Sequence, residues 1–320
     1  MHSLKLLLAY ALAARAIVLT IIGKPLTAAA LTAISNQLEF VIRYGLLNTL
    51  RAIYRSGKDI DGDYAINLAR SAYNPKDKKT STYSIIEVTN NCPFDCQGCY
   101  VPDRRSSYRM SKELLIESIE RLSHAAIILI QGGEPLSSKH APHLIDALLR
   151  FPRQLFVIVT NGVYISRYGM KGLEDLPSPI FAISINGTKD MNDTLRFKGS
   201  YVAAMKAMDT LRKAGRYYLP VVTLSKLNLL DATSKEFLVS LSRAGAKDVR
   251  YLVEESPRLD VRLSKDDLKL AKHRTRLFGH LLFTTFNEYG ADNIAVIDPY
   301  GRLRDDRTGY EKEIVSLGLY

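Results

Sequence analysis

Outside one eight-residue stretch the chain has no cysteine, and its three cysteines, Cys92, Cys96 and Cys99, all lie within that stretch. An odd, tightly clustered set is a poor disulfide framework, and nothing elsewhere can pair with it. A disulfide-stapled secreted scaffold is therefore excluded, and a reducing, cytoplasmic compartment is expected. Glycine (19) and proline (12) are not enriched among the 320 residues, and there is no repeat or low-complexity tract, so disordered, collagenous and solenoid classes drop out. With 47% hydrophobic and 24% charged residues, the chain can bury a substantial core. Acid is scarce at one end: residues 1–58 carry Lys5, Arg15, Lys24, Arg43, Arg51, Arg55 and Lys58 against Glu39 alone.

The net charge of +11 suggests an anionic partner or simply a solvated basic surface. Because residues 1–58 are apolar as well as basic, a membrane surface suits them better than nucleic acid. Leu6–Ile22 is a nearly continuous apolar run interrupted mainly by Arg15. A cleaved secretory signal would carry clustered thiols into an oxidising space. A spanning helix would have to bury Arg15 near its middle. Three readings stay open: a helix lying on the membrane, a helix packed on the protein, and a true span.

Gly23-Lys24-Pro25 ends that first helix, and Leu38–Tyr54 has helical spacing. The polar linker Asn74–Thr80 marks a boundary, giving an N-terminal extension (1–78), a core (79–255) and a C-terminal extension (256–320). In the core, β-branched runs predict strands at Tyr83–Val88, Ala126–Gln131, Leu155–Thr160, Ile180–Ile185, Tyr218–Leu224 and Val249–Val253. Amphipathic stretches predict helices at Lys112–Ser123, His140–Phe151, Ile165–Leu173, Tyr201–Ala214 and Ser234–Ala244. Ser111 and Ser234 are their candidate N-caps, and Gly215 and Gly245 their candidate ends. A long helix over Lys265–Tyr289, open to interruption, and a strand at Ile294–Asp298 follow. Six strands alternating with helices imply a mainly parallel α/β sheet with right-handed crossovers, whose chemistry sits at the strands' C-terminal ends. The first such loop, Thr89–Met110, holds every cysteine.

Three thiols in Cys92-Pro-Phe-Asp-Cys96-Gln-Gly-Cys99 can converge to hold a metal centre. A closed zinc site needs four ligands, so zinc would require His124, His140 or His143 as the fourth, and none has a convincing local spacing.

The Cys-x-x-x-Cys-x-x-Cys motif after a first strand resembles the signature of the radical S-adenosylmethionine superfamily. Four later segments fit the resemblance in order. Gln131-Gly132-Gly133-Glu134-Pro135 resembles the segment that holds the methionine amino group. Thr160-Asn161-Gly162 ends the third strand, as in many members. Ser184-Ile185-Asn186-Gly187 resembles the Ser-x-Asp-Gly station near the ribose and carboxylate, with Arg196 as the arginine that often follows. Val222–Asn228, including Thr223, resembles the adenine-contacting region. The resemblance implies a partial (β/α)6 TIM-like barrel with an α-helical apolar N-terminal extension. It also implies a four-iron, four-sulfur cluster on Cys92, Cys96 and Cys99, bound S-adenosylmethionine, and an external electron donor. Each segment has a blander reading as a turn or core hydroxyl; their weight lies in five successive strand ends.

The chain departs from the superfamily pattern in two places. The residue before the third cysteine is often aromatic and lies against adenine; here it is Gly98, with Tyr100 nearby, and Cys-x-Gly-Cys resembles enzymes of the adenosylhopane-synthase type. Ile297-Asp298-Pro299-Tyr300-Gly301-Arg302-Leu303 resembles the strand–turn of members with auxiliary clusters, yet Asp305 or Asp306 stands where a cysteine is expected. Modification of a membrane lipid at the cytoplasmic face is the first substrate expectation. A peptide or cofactor precursor is the second and a metal-stabilised binding module the third; nucleic acid has charge as its only support. The residue that reacts with substrate is not identified.

Overall fold

Runs of Ile, Val and Phe too short for helices pair side by side, because β-branched and aromatic side chains pack well on a pleated surface. The computed structural model describes residues 83–304, apart from 97–98, 100, 102–107, 124, 126, 138, 153, 177–178, 254–260, 280–281 and 288–294. The helices expected at Leu6–Ile22 and Leu38–Tyr54, the linker expected at Asn74–Thr80, and His124, Gly98, Tyr100, Asp305 and Asp306 lie outside the described residues. Seven strands come in chain order: β1 (Tyr83–Thr89), β2 (Ile127–Gly132), β3 (Leu155–Thr160), β4 (Ile180–Ser184), β5 (Tyr218–Leu224), β6 (Asp248–Val253) and β7 (Phe283–Asn287). Each is parallel to the next. The short strand β8 (Val296–Ile297) pairs parallel to the free side of β1, and β9 (Leu303–Arg304) turns back antiparallel on β8. The order β7-β6-β5-β4-β3-β2-β1-β8-β9 leaves β7 and β9 as edges, so the barrel is partial and open.

The helices are α1 (Lys112–Arg121), α2 (Ala141–Leu148), α3 (Val163–Tyr168), α4 (Lys189–Leu195), α5 (Ser200–Lys213), α6 (Leu229–Ala232), α7 (Lys235–Arg243) and α8 (Lys265–Arg276). Ser111 and Ser234 cap α1 and α7 as expected, their hydroxyls accepting from Leu114 N at 3.1 Å and Phe237 N at 3.2 Å. Gly215 and Gly245 end α5 and α7 at φ of +64° and +94°, where only glycine is unstrained.

The expected helix over Lys265–Tyr289 ends at Arg276, and Phe283–Asn287 is instead the strand β7 on β6. Phe283-Thr284-Thr285-Phe286 has the β-branched and aromatic composition of a strand, and Gly279 interrupts the pattern before it. Short helices α4 and α6, absent from the sequence reading, follow β4 and β5. Among the described residues no helix is long and apolar enough to cross a membrane.

Alternation gives the sheet two unlike faces. Ile86, Val88, Ile128, Ile130, Ile158, Phe181, Ile183, Val222 and Tyr251 enter the main core under the helices. On the opposite, inner face Ile127, Leu129, Val157, Val159, Leu219 and Leu252 are only half-buried, an apolar wall left open by the partial barrel. Towards the C-terminal ends that face turns polar, with Glu87, Gln131, Ser184 and Thr223.

Tyr251 is fully buried and its hydroxyl donates to Ala232 O at 2.6 Å, joining β6 to α6. Tyr251→Phe leaves that carbonyl unanswered. The variant is expected to lose about 1–2 kcal/mol, seen as a lower denaturant midpoint with an unchanged m-value.

Candidate active site

The cysteine loop is pinched at its base. Thr89 Oγ1 donates to Tyr108 O at 2.7 Å and accepts from Asn91 N at 3.0 Å, while Met110 N donates to Val88 O at 2.9 Å. The chain thus leaves β1 and returns to it, with the cysteines between. Cys92 and Cys96 are half-buried and Cys99 is exposed; Cys99 N reaches back to Cys96 O at 3.4 Å. Burial pushes the Cys92 thiol up to about 11, a Phe94 N–H bond opposes this, and Glu134, Cys96 and Cys99 add repulsion. Neighbours that repel one another as thiolates are relieved by a shared cationic centre, which deprotonates its ligands on binding. The donor set therefore fits an iron–sulfur cluster.

The next strand end is held to this loop by backbone. Gly133 N donates to Thr89 O at 2.6 Å and Glu134 N to Asn91 O at 2.9 Å. A Cβ on Gly132 would overlap Thr89 O, and one on Gly133 would overlap Asn91 O. The paired glycines are thus needed for one strand end to approach another. Glu134, only 4% exposed, then crosses to β3: Oε1 accepts from Thr160 Oγ1 at 2.6 Å and Leu136 N at 3.0 Å, and Oε2 from Asn161 N at 2.8 Å. Burial holds its pKa above the usual carboxylate range, opposed by those three hydrogen bonds and by the nearby Arg196 charge. Both carboxylate oxygens are engaged within the chain. Asn161 Oδ1 accepts from Val163 N at 2.9 Å and turns the chain into α3.

A second network joins the ends of β4 and β5. Asn186 Oδ1 accepts from Thr223 N at 3.2 Å, and Asn228 Nδ2 donates to both Asn186 O and Thr223 O at 2.9 Å. Asn192 Oδ1 accepts from Asn186 N at 2.8 Å. Asp231 takes Thr188 N at 2.7 Å and Thr188 Oγ1 at 2.6 Å, and packs where a Gly187 side chain would stand. Ser184 is half-buried on the inner face. Arg196 ends α4 with its Nε buried and unanswered, close enough to Glu134 to act on its charge. An orphaned guanidinium nitrogen beside backbone-rich strand ends fits a ligand carrying a carboxylate.

The structure thus gathers Gly132, Gly133, Glu134, Asn161 and Arg196 around β2 and β3, and Asn186 with Thr223 around β4 and β5. Asn228, the last residue of the Val222–Asn228 segment, supports the second group, as do Asn192 and Asp231, which the sequence did not single out; Asp231 lies 43 residues from Thr188 and carries no motif. Of the histidines considered for zinc, His140 is buried at the start of α2 and burial, then Arg109, hold it neutral, down to about 4. His143 is exposed. Among the described residues no three His, Cys, Asp or Glu side chains are gathered as a single metal ion would require.

Gly133→Ala forces the β1 and β2 loops apart and is expected to cost on the order of 2 kcal/mol or more. Gly279→Ala, whose added Cβ would meet only Arg276 O at 3.4 Å, serves as the comparison and should melt close to the parent. Equal melting temperatures for the two variants would remove the close-approach argument.

Comparison with known proteins places these features. The Radical SAM superfamily model matches residues 86–230. A Fe-coproporphyrin III synthase of Methanosarcina barkeri is 29% identical over 162 residues, covering 49% of this chain and 40% of the relative. A GTP 3′,8-cyclase of Mesorhizobium japonicum is 31% identical over 101 residues, covering 28% of this chain and 30% of the relative. The chain spans less than half the length of either relative. Streptococcus suis SuiB bound to S-adenosylmethionine superposes with a TM-score of 0.63 at 12% identity, over 86% of this chain and 73% of that one. Native anSMEcpe with bound AdoMet and a peptide does so at 0.56 and 14% identity, over 72% and 75%. Both have the same fold. Cysteine loop, parallel partial barrel and matched segment agree on a Radical SAM superfamily domain over residues 86–230, of an enzyme family whose cofactors are a four-iron, four-sulfur cluster and S-adenosylmethionine.

Proposed function

We propose that this chain cleaves S-adenosylmethionine reductively and directs the resulting radical at a substrate with an apolar body, a membrane lipid in the first reading. The observation that carries the cofactor assignment is the placement of three thiols on the one loop beyond β1, with Cys96, Cys99 and Glu134 near enough to act on the charge of Cys92 and Arg196 Nε unanswered near Glu134. In this reading Cys92, Cys96 and Cys99 hold the cluster and leave one iron open to the amino and carboxylate groups of S-adenosylmethionine. The Gly132-Gly133-Glu134 backbone receives the methionine amino group, Glu134 holding it in place through β3 and Asn161. Ser184 and Asn186 stand at the ribose, Arg196 at the carboxylate and Thr223 at the adenine. The chemistry supplied by these cofactors when bound is donation of one electron to the sulfonium, giving methionine and a 5′-deoxyadenosyl radical. The protein's part is to orient the 5′ carbon and to keep water from it. An external donor supplies the electron.

The half-buried inner wall of Ile127, Leu129, Val157, Val159, Leu219 and Leu252 supports an apolar substrate. The basic, apolar residues 1–58 support delivery from the cytoplasmic face of a membrane. Modification of a cofactor precursor is the second reading, favoured by the Fe-coproporphyrin III synthase and GTP 3′,8-cyclase relatives.

Anaerobically reconstituted, reduced protein is expected to release 5′-deoxyadenosine and methionine, and Cys96→Ala to lower that release at least about a hundredfold. Undiminished product from the variant sinks the radical assignment. Extracts of a deletion strain and its parent separate the substrate readings: a missing lipid species supports the first, and a missing tetrapyrrole or other soluble precursor supports the second.

A further inference from the structure

We propose that Phe197 is a positioning residue for the cysteine loop, acting through a ring stack with Phe94 that aims the Phe94 N–H at the Cys92 sulfur. Phe94 lies between Cys92 and Cys96, two residues from each. Its ring meets that of Phe197 face to face, with centroids 3.3 Å apart and planes within 5°. Its backbone N–H donates to Cys92. One residue thus holds both a ligand sulfur and a partner more than a hundred positions away.

The far side of the stack is a fixed platform. Arg196 N donates to Asn192 O at 2.9 Å and Ser200 N to Phe197 O at 3.0 Å. Asp193 takes Gly199 N and Tyr201 N, each at 2.9 Å, so the turn between α4 and α5 is braced on both sides of Phe197. The residue before Phe197 is Arg196, whose buried Nε is unanswered. Adjacent side chains of one turn therefore divide the work, Phe197 gripping the cysteine loop and Arg196 entering the cofactor region. The stack couples the distance between the two.

The consequence lies in the cluster's properties. A hydrogen bond to a ligating sulfur favours the more electron-rich, reduced state, so it raises the reduction potential. A loop held by an aromatic contact also releases metal more slowly than a loose one. This inference rests on the cluster assignment proposed above.

The test uses the full chain, reconstituted anaerobically with iron and sulfide, in parent, Phe197→Ala, Phe197→Tyr and Phe94→Leu forms. Iron and sulfide content, the rate of iron loss to a chelator, and the potential from an electron paramagnetic resonance titration are measured on each. Phe197→Ala and Phe94→Leu are expected to lose iron about tenfold faster and to titrate at a lower potential, while Phe197→Tyr, which keeps the ring, matches the parent. Parent-like potential and iron loss in Phe197→Ala overturn the proposal; should that variant fail to give a cooperative melt, the same parent-like result in Phe94→Leu overturns it. A parent protein that assembles no cluster is a different failure, since it removes the cofactor assignment itself.

Discussion

Glu134 is a carboxyl group buried at the end of β2 with its oxygens hydrogen-bonded by the end of β3, and the rest of the site is arranged around that contact. Burying a carboxyl group is costly unless its oxygens are hydrogen-bonded, and three hydrogen bonds do this here while burial still holds its pKa above the usual range. The residue's own N–H binds Asn91 O, so one residue fastens three consecutive strand ends. The cysteines begin immediately beyond Asn91. A cluster loop this long is held in register with the sheet because its first residues are bonded to a segment that is itself pinned.

The same logic operates on the other half of the rim with neutral groups. Asn186, Asn192, Asn228 and Thr223 satisfy one another's backbone and amide atoms, and Asp231 fixes the turn into α4. Arg196 and Phe197 leave that helix, so the second network determines where the Arg196 cation, its Nε unanswered, and an aromatic ring face the first. Below the two networks the inner face is apolar and half-buried, and it turns polar towards them through Glu87, Gln131, Ser184 and Thr223.

Much of this was legible in the chain. The six core strands and their helices follow from period and composition, and the N-caps at Ser111 and Ser234 from a single residue type each. The cysteine spacing and the strand-end motifs marked the rim. Other features depend on contacts that no local pattern announces. The strand β7 was hidden inside an amphipathic stretch, because Lys265–Arg276 sets a helical period that the eye continues past Gly279. The bond from Asp231 to Thr188 and the stack of Phe94 on Phe197 join residues far apart in sequence. The role of Gly132 and Gly133 was half legible: two glycines announce a close approach, but only the fold shows that the approaching group is the β1 loop's own backbone.

The central claim is that Cys92, Cys96 and Cys99 hold one four-iron cluster with an iron open to S-adenosylmethionine. Electron paramagnetic resonance of the reduced, reconstituted protein with and without S-adenosylmethionine tests it most directly. The account predicts a reduced four-iron signal whose g values shift when S-adenosylmethionine is added. A cluster signal that S-adenosylmethionine leaves unchanged, or a protein that takes up zinc and gives no iron–sulfur signal at all, would contradict it.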